Sequence, residues 1–365
     1  MRTRVLHVID SFDLGGGQTA LLNLLRACDR ERYEPEVACM HGQGVFWDDF
    51  ARLGIPVHSL SPHKYAPLYI ARLVKLIFKR RPQIVHCHLF GSNWIAKPLA
   101  ALLGVPVRIN HDQCNDALRY ERPLARWVDA VTNRFSSHVC AVSASTRDFL
   151  VKHERLAPAA ISLVYNGVDT TQFTPPTTRP RLERFVVLGV GRLHAQKNFS
   201  LFLGAAAALV RAGVPVEFRL AGTGPEEASL RDLARDLRLN SHVHFLGHIN
   251  DTRALYASAD ALLMTSRFEG TPLTALEAMA MRLPIVAPRL DGLGEILRHE
   301  EDALLVEPPG ATEFAAALRR LIDDPLFATR LAEAAERKVR AKFSAQTMAT
   351  QVEAIYAQCL ANLKK

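Results

Sequence analysis

Short apolar, β-branched runs alternate with longer helical patterns along the whole chain, and this alternation limits the fold more than any other feature. It is typical of strand–helix–strand units that build parallel sheets. The first series of runs is VLHVI (5–9), VACM (37–40), IVHCH (84–88), VRINH (107–111) and HVCAV (138–142). The second series is FVVLGV (185–190), EFRLAG (217–222), HVHFLG (242–247), ALLMT (261–265), PIVA (284–287) and ALLVE (303–307). The sequence therefore predicts an α/β protein with two doubly wound lobes and a cleft between them.

The domain boundary is expected where the two series meet, since 365 residues suit two domains better than one or three. Residues 166–180, NGVDTTQFTPPTTRP, concentrate Gly, Pro, Asn and Thr, which favours a hinge. The prediction is an N-terminal lobe over 1–165, the hinge, and a C-terminal lobe over 181–345. A C-terminal helix over 346–365 ends a helical tail and is expected to pack back on the first lobe.

Composition excludes several classes of protein. No stretch of about 18 apolar residues occurs, which argues against a spanning helix and a signal peptide. The six cysteines lie far apart with no CxxC pair, as buried thiols do in a reducing compartment. We therefore expect a cytoplasmic protein.

The net charge of +8 is concentrated in the first half of the chain, where residues 1–169 carry 21 Lys and Arg against 15 Asp and Glu. No recognition helix, zinc finger or basic aromatic platform accompanies this excess, so nucleic acid is not expected as a partner. A phosphate-bearing substrate or an anionic membrane fits better. The pattern over Leu68 to Lys79 predicts a basic amphipathic helix with Arg72, Lys75 and Lys79 on one side. It is either a contact with anionic lipid headgroups or a solvated face over an ordinary core.

Two glycine-containing turns are candidate anion sites. Gly15, Gly16 and Gly17 follow the first strand and precede a helical run, where bare backbone amides would approach an anion. Their spacing is not GxGxxG, and a simple tight turn is the alternative. After the strand FVVLGV, Arg192 and Lys197 flank a helix start that Asn198 is expected to cap. Arg and Lys at a helix N-terminus suit a diphosphate, although a solvated loop is the alternative.

The segment SRFEGTPLTALEAMAMRLPIVA carries the most information. Glu269 and Glu277 stand on either side of a strand-to-helix turn, in which Pro272 suits the first helical turn. The amides of 270–274 would then face a bound anion or sugar. Two carboxylates so placed can accept hydrogen bonds from different hydroxyls of one extended ligand, which indicates a sugar.

Nine segments resemble the retaining glycosyltransferases of family four, which have the GT-B fold of two Rossmann-like lobes. They occur in that family's order and spacing: LGGGQTALLNLL, HCHLFGSNWIAKPLAALLGVPVRINHD, VSASTRDFL, YNGVDTTQFTP, GRLHAQKN, AGTGPEE, FLGHIND, EGTPLTALEAMA and DGLGEIL. The resemblance spans nearly the whole chain and is closest to bacterial enzymes that build surface polysaccharides.

The resemblance implies a role for each matching residue. Arg192 and Lys197 would hold the donor diphosphate, Glu277 the ribose, and Glu269 the hydroxyls of the donor sugar. Glu269, Arg192, Lys197 and His111 would form the catalytic set, with His111 beside the reacting sugar. The remaining donor contacts would come from Gly16 and Gly17 of the other lobe, Leu246 in the base-binding region, and the backbone of Gly270, Thr271, Pro272 and Leu273.

The implied reaction moves a sugar from a UDP- or GDP-sugar to a saccharide or lipid-linked acceptor, with retention and without a metal. Hinge closure would exclude water from the reacting groups. An epimerase or hydrolase on the same fold, or a non-catalytic glycan-binding subunit, is the alternative. Both are disfavoured because Arg192, Lys197, Glu269 and Glu277 are all present.

The His86 and His88 pair lies on one face of a strand and could bind a metal, with His111 and Asp112 nearby. The resemblance implies no metal there, which makes His88 an acceptor-site residue and His86 a packed one. Two departures from the family pattern leave the sugar open. Thr271-Pro272 replaces the commoner Phe-Gly, and DGLGE has Asp291 and Gly294 at positions usually held by other residues.

Overall fold

The computed structural model divides into two compact units. Unit 1 contains residues 1–167 and 345–365, and unit 2 contains residues 168–344. The described residues are 2–13, 15–42, 44–61, 68–113, 123–177 and 183–363. Cys114 and residues 178–180 of the expected hinge lie outside these ranges.

Unit 1 is built on a seven-stranded parallel sheet with the order β3-β2-β1-β4-β5-β6-β7. The strands are β1 (Thr3–Ser11), β2 (Tyr33–His41), β3 (Val57–Ser59), β4 (Ile84–His88), β5 (Val107–Asp112), β6 (His138–Ala141) and β7 (Ile161–Leu163). The described residues of this unit form six connecting helices: α1 (Gly16–Ala27), α2 (Trp47–Ala51), α3 (Leu68–Arg80), α4 (Phe90–Leu102), α5 (Pro123–Asn133) and α6 (Ala144–Glu154).

Unit 2 repeats this winding on a six-stranded parallel sheet with the order β10-β9-β8-β11-β12-β13. The strands are β8 (Phe185–Val190), β9 (Val216–Ala221), β10 (Val243–Gly247), β11 (Ala261–Leu263), β12 (Ile285–Pro288) and β13 (Leu304–Val306). The helices are α7 (Phe199–Arg211), α8 (Glu227–Asp236), α9 (Arg253–Ala257), α10 (Leu273–Ala280), α11 (Asp291–Ile296), α12 (Ala311–Asp323) and α13 (Pro325–Lys342).

The last helix, α14 (Ala345–Asn362), belongs to unit 1. Its buried residues, including Met348, Val352 and Tyr356, pack in one apolar cluster with α1 and with one face of the unit 1 sheet. A second cluster lies on the opposite face, under α3 and α4. Parallel strands covered on both faces explain why the strand sequences read as continuous apolar runs.

The predicted strands are present in the structure, two with the predicted bounds and the others with ends that differ by up to four residues. The short strands β3 and β7 were not predicted, because three residues are too few to show a periodic signal. The helical tail is confirmed, but it breaks at Phe343 and Ser344 into α13 and α14. None of the described helices is long and apolar enough to cross a membrane.

Candidate functional site

The loop between β8 and α7 presents the two predicted cations of unit 2. Arg192 is exposed, while the aliphatic carbons of Lys197 pack beside Gly191, where a Cβ would lie 3.2 Å from Cε of Lys197. Asn198 occupies the cap position in the left-handed region at φ 52°, but its side chain does not cap the helix. The capping prediction was therefore wrong, because the Asn198 side chain accepts a hydrogen bond from the Ser200 hydroxyl instead.

Lys197 is joined to Glu269 by an ion pair between two distant segments. The ammonium Nζ lies 2.6 Å from Oε1 of Glu269, and the Ser266 hydroxyl donates to the same oxygen at 2.6 Å. The Thr265 hydroxyl donates to the carbonyl of Lys197. Both charged side chains are largely buried, so the attraction is weakly screened by solvent. The structure thus brings together two of the residues predicted to contact a donor.

Two glycines allow the loops around this pair to approach closely. At Gly222, whose φ is 138°, a Cβ would lie 1.9 Å from the carbonyl oxygen of Gly191. At Gly292, a Cβ would lie 2.2 Å from the carbonyl oxygen of Glu269. A larger residue at either position would push apart the backbone segments that carry Arg192 and Glu269. Gly292 also gives the unusual DGLGE loop a local role, since this glycine holds α11 against the Glu269 turn.

The turn after Glu269 leads directly into α10. Pro272 is the cap residue of α10, and the helix begins at Leu273. Gly270, Thr271, Pro272 and Leu273 are all buried. The first amides of a helix have no intrahelical acceptor, so this end of α10 offers donors and a positive dipole end to an anion.

Glu277 lies in the second turn of α10, and its side chain is buried rather than on a helix surface. The hydroxyl of Tyr256, on α9, donates to Glu277 Oε2 at 2.8 Å. Burial raises the pKa of Glu277 to about 7, and the Tyr256 hydrogen bond opposes this rise. A carboxyl group kept near neutrality inside the fold is typical of a functional position.

The predicted base-binding region forms the end of β10. Leu246 lies half-buried beside a register shift between Phe245 and Gly247. The amide of Gly222 donates to the carbonyl of Gly247 at 2.7 Å, which ties this strand end to the glycine turn of β9. The Arg231 guanidinium covers the Phe245 ring at 4.6 Å from its centroid. The end of β10 is thus rigidly placed in the same unit as the carboxylates.

The predicted glycine turn belongs to unit 1. Gly16 begins α1 behind Gly15, and a Cβ on Gly16 would meet nothing within 4 Å. A Cβ on Gly17 would lie 2.7 Å from the side chain of Leu89. Gly16 therefore leaves open space above a helix N-terminus, whereas Gly17 is needed for packing.

Four histidines of unit 1 form a buried cluster on the sheet face under α14. Strand register places His7 beside His86, and His88 beside His111. The ring of His86 lies 4.3 Å from that of His88 and is stacked on that of His111 at 5.3 Å. His7 Nδ1 and His88 Nε2 are 3.1 Å apart and share a hydrogen bond, while Tyr356 of α14 is hydrogen-bonded to His86.

All four imidazoles are held in the neutral form by burial. Burial lowers the pKa of His7 to about 3 and that of His111 to about 4, and it places those of His86 and His88 well below the usual value. Ring nitrogens of His7, His86 and His88 lie within 4.8 Å of one another, which is within reach of one metal ion. His88 and His111 thus lie in one cluster, and their side chains are about 1 % exposed.

Three residues of these sites were not singled out by sequence reasoning. His7 lies on the same sheet face as His86 and His88, and two-residue strand periodicity combined with the strand order would have placed it there. Tyr256 and Tyr356 lie on helices far along the chain from Glu277 and His86. Nothing in their local sequence indicates a polar partner, because each looks like an ordinary buried aromatic residue.

Two family models together match most of the chain. Glycosyltransferase Family 4 matches residues 14–172, and Glycosyl transferases group 1 matches residues 171–338. Glycogen synthase of Mycobacterium tuberculosis is 32% identical over 296 residues, which cover 78% of this chain and 71% of that protein. The UDP-Gal:alpha-D-GlcNAc-diphosphoundecaprenol alpha-1,3-galactosyltransferase of Escherichia coli is 25% identical, with 88% and 89% covered.

Solved structures agree with the expected fold. HepE of Anabaena in complex with UDP-glucose matches with a TM-score of 0.88 at 21% identity, covering 98% of this chain and all of that one. Sucrose-phosphate synthase of Thermosynechococcus elongatus matches with a TM-score of 0.87 at 19% identity, covering 99% and 100%. These likenesses, together with the two doubly wound sheets, confirm the predicted GT-B fold class. The family models and the relatives show that the chain belongs to the group 1 glycosyltransferases of family four.

Proposed function

We propose that this glycosyltransferase moves a sugar from a UDP-sugar to a hydroxyl of a saccharide or lipid-linked acceptor, with retention of configuration and without a metal. The observation that carries the proposal is a group of charged residues in unit 2, in the segments that follow β8 and β11. There, the Lys197–Glu269 pair, exposed Arg192, the start of α10 and the buried carboxyl of Glu277 belong to adjoining segments.

Each part of this group suits one part of a nucleotide sugar. Arg192 and Lys197 neutralise the diphosphate, with help from the first amides of α10. In the donor complex Lys197 exchanges part of its contact with Glu269 for phosphate oxygens, which leaves Glu269 to accept from the sugar hydroxyls. Glu277 accepts from the ribose hydroxyls, and the backbone around Leu246 reads the base. HepE is known in complex with UDP and with UDP-glucose, which supports uridine as the base.

The reaction proceeds on one face of the donor sugar. The bond from the anomeric carbon to the diphosphate oxygen breaks, the acceptor oxygen bonds to that carbon from the same face, and its proton passes to the departing phosphate oxygen. Arg192, Lys197 and the α10 amides stabilise the charge that develops on the diphosphate. The contacts of Gly16 with the donor, of His111 with the reacting sugar and of His88 with the acceptor remain predictions, since both histidines are buried within unit 1.

Metal independence follows from this charge balance. Lys197, Arg192 and a helix dipole supply the positive charge that a divalent cation supplies elsewhere. Among the described residues, the trio with metal-ligand spacing is His7, His86 and His88, an all-imidazole set in unit 1 with no carboxylate to offset an ion. We expect transfer to persist in excess chelator. Complete loss of activity, restored by a divalent cation, would contradict this.

Helix α3 of unit 1 supports a proposal for the acceptor and for where in the cell the protein acts. Helix α3 exposes Arg72, Lys75 and Lys79, together with the apolar side chains of Leu68 and Phe78, while Leu73, Leu76 and Ile77 face the core. Such a helix suits the anionic inner face of a plasma membrane, where a lipid-linked acceptor would be found. Reduced cysteines at the five described positions suit the cytoplasmic side.

The deciding experiment compares two lysines. Lys197→Ala should weaken UDP binding, measured by titration calorimetry, about 10- to 100-fold, because a charge-assisted contact is worth about 1.5 to 3 kcal/mol. Lys338→Ala is the matched control, since Lys338 makes an equally buried ion pair with Asp302 at 2.7 Å in the same unit. Equal UDP affinity in wild type and Lys197→Ala would contradict the proposed donor site.

Product analysis distinguishes a transferase from an epimerase, a hydrolase and a non-catalytic glycan-binding subunit. Incubation with UDP-glucose and a panel of saccharide and lipid-linked acceptors should give a new α-linked product and UDP. An isomerised nucleotide sugar would indicate an epimerase, and free sugar at equal rates with and without acceptor would indicate a hydrolase. Glycan binding with no turnover of any donor would indicate a non-catalytic subunit.

A further inference from the structure

The segment that leads into unit 2 is folded into a fixed turn, and the roles assigned so far do not use it. Asp169 accepts hydrogen bonds from the amide and hydroxyl of Thr171, at 3.0 and 2.6 Å, and from the side-chain amide of Gln172 at 2.8 Å. Its own carbonyl accepts from the amide of Phe173 at 2.9 Å. Four hydrogen bonds therefore fix the position of Phe173, the aromatic residue of the YNGVDTTQFTP motif.

Phe173 packs against the residue that holds Glu277. Its ring meets that of Tyr256 edge to face, with centroids 6.1 Å apart and planes at 72°. Tyr256 is completely buried, so its ring cannot swing away without opening the core. Its hydroxyl lies 2.8 Å from Glu277 Oε2 and 3.4 Å from the carbonyl oxygen of Thr274. The shorter contact makes the carboxylate its principal partner.

A rigid donor on one carboxylate oxygen has a direct consequence for ligand binding. A free Glu side chain samples several rotamers, and ordering it on binding weakens affinity about two- to tenfold. The Tyr256 hydroxyl removes this cost in advance by fixing Oε2, and it leaves Oε1 for a ligand hydroxyl.

We infer that Phe173 and Tyr256 are positioning residues for the nucleotide sugar, which act by holding the Glu277 carboxylate in its ribose-binding orientation. This inference rests on the proposed function, since it assigns the residues behind one contact of the donor site. It also gives the motif around Asp169 a part in donor affinity, although these residues need not touch the donor.

The test is a double-mutant cycle read out by UDP affinity in the full-length protein. Tyr256→Phe should weaken UDP binding up to about tenfold, because the freed Glu277 side chain must then be ordered on binding. The same substitution in a Glu277→Gln background should change UDP affinity by less than about twofold, because its effect passes through the carboxylate. With UDP-glucose, KM should rise while kcat at saturating donor stays within about twofold.

Variants of Phe173 test whether its contact with Tyr256 also affects UDP binding. Phe173→Ala should weaken UDP binding in the same direction as Tyr256→Phe, and Phe173→Tyr, which keeps the ring, should restore most of the affinity. Tyr33→Phe is the matched control, because it removes a buried tyrosine hydroxyl that donates to the Glu353 carbonyl in unit 1. It should leave UDP affinity unchanged.

The outcomes distinguish this inference from the proposed function. Equal losses for Tyr256→Phe in the wild-type and Glu277→Gln backgrounds would overturn the inference, since Tyr256 would then act on the fold alone. Wild-type affinity in Tyr256→Phe, with a clear loss in Glu277→Gln, would overturn the inference and leave the ribose contact standing. Wild-type affinity in Glu277→Gln would overturn both.

Discussion

Unit 1 and unit 2 share one winding order, but the histidine cluster of unit 1 and the Glu277 carboxyl of unit 2 respond to burial in opposite ways. The unit 1 sheet buries four imidazoles against α14, while unit 2 buries the Glu277 carboxyl beside α10. Burial favours the neutral form in both units, which lowers the pKa of the histidines and raises that of Glu277. A fall in pH should therefore destabilise unit 1 through its histidines, whereas a rise in pH should destabilise unit 2 through Glu277. Glu277 differs from the histidines in one further respect, since the proposed reaction needs this buried group in its charged form.

The largest expected effect is the acid unfolding of unit 1. In the unfolded chain the histidines take up protons below about pH 6.5. In the folded protein His7 and His111 stay neutral until about pH 3 to 4. Stability is therefore lost as pH falls through this window, by about 2 kcal/mol at pH 5 for each such histidine. The three tryptophans all lie in unit 1, so fluorescence-monitored urea unfolding between pH 5 and 8 reports on this unit.

Two variants sharpen this measurement. His7→Gln should reduce the slope of stability against pH, and His153→Gln, on α6 outside the cluster, should leave it unchanged. If the free energy of unfolding of the wild type were constant from pH 8 to 5, the histidines would be protonated or solvent-accessible in the folded protein. The two units would then not differ in their response to pH.

The next effect is the opposite trend in unit 2. Glu277 ionises above about pH 4.5 when unfolded but only near pH 7 when folded, so stability falls as pH rises between these values. The loss amounts to roughly 3 to 4 kcal/mol above pH 7. Glu277→Gln should remove this slope, measured by hydrogen exchange of unit 2 peptides in urea without nucleotide. Glu301→Gln, at an exposed carboxylate of the same unit, should keep the slope. A slope that persists in Glu277→Gln would assign it to another group.

The smallest effect tests the difference in surface charge. Residues 1–169 carry a net +6 and residues 170–365 a net +2, so anionic vesicles should bind through unit 1. Each cation near such a surface contributes about 1 kcal/mol. Lys75→Glu with Lys79→Glu should weaken binding to vesicles of phosphatidylglycerol and phosphatidylcholine at least about tenfold in a sedimentation assay. Arg330→Glu with Arg337→Glu, on α13 of unit 2, is the control. Equal losses from both pairs would mean that binding follows net charge rather than α3.

The fold was predictable because its signal is repeated. Most strands of both sheets are largely buried, so eleven apolar runs could be recognised one after another, whereas β3 and β7 were too short to show a pattern. The ends of helices were harder to predict, since they depend on single hydrogen bonds. Asn198 illustrates this, because the same side chain can cap a helix or bind a neighbouring hydroxyl.

The site was predictable only where it is local in sequence. Glu269 and Glu277 lie in one segment, and their placement on either side of a turn follows from it. The partners of these residues come from far along the chain: Lys197 reaches Glu269 across 72 positions, and Tyr256 reaches Glu277 across 21. Burial in the histidine cluster was not predictable either, because it requires three strands and α14 at once.

The place of α14 in unit 1 bears on how the protein is made. Residues of unit 2 leave the ribosome before α14 does, so the first 167 residues emerge with one sheet face still lacking Met348, Val352 and Tyr356. Domains ordinarily fold in the order of their synthesis. Here the earlier unit must wait for the later one, with an apolar surface and four histidines exposed to water in the meantime. An exposed apolar surface of this kind favours aggregation until α14 packs on the sheet.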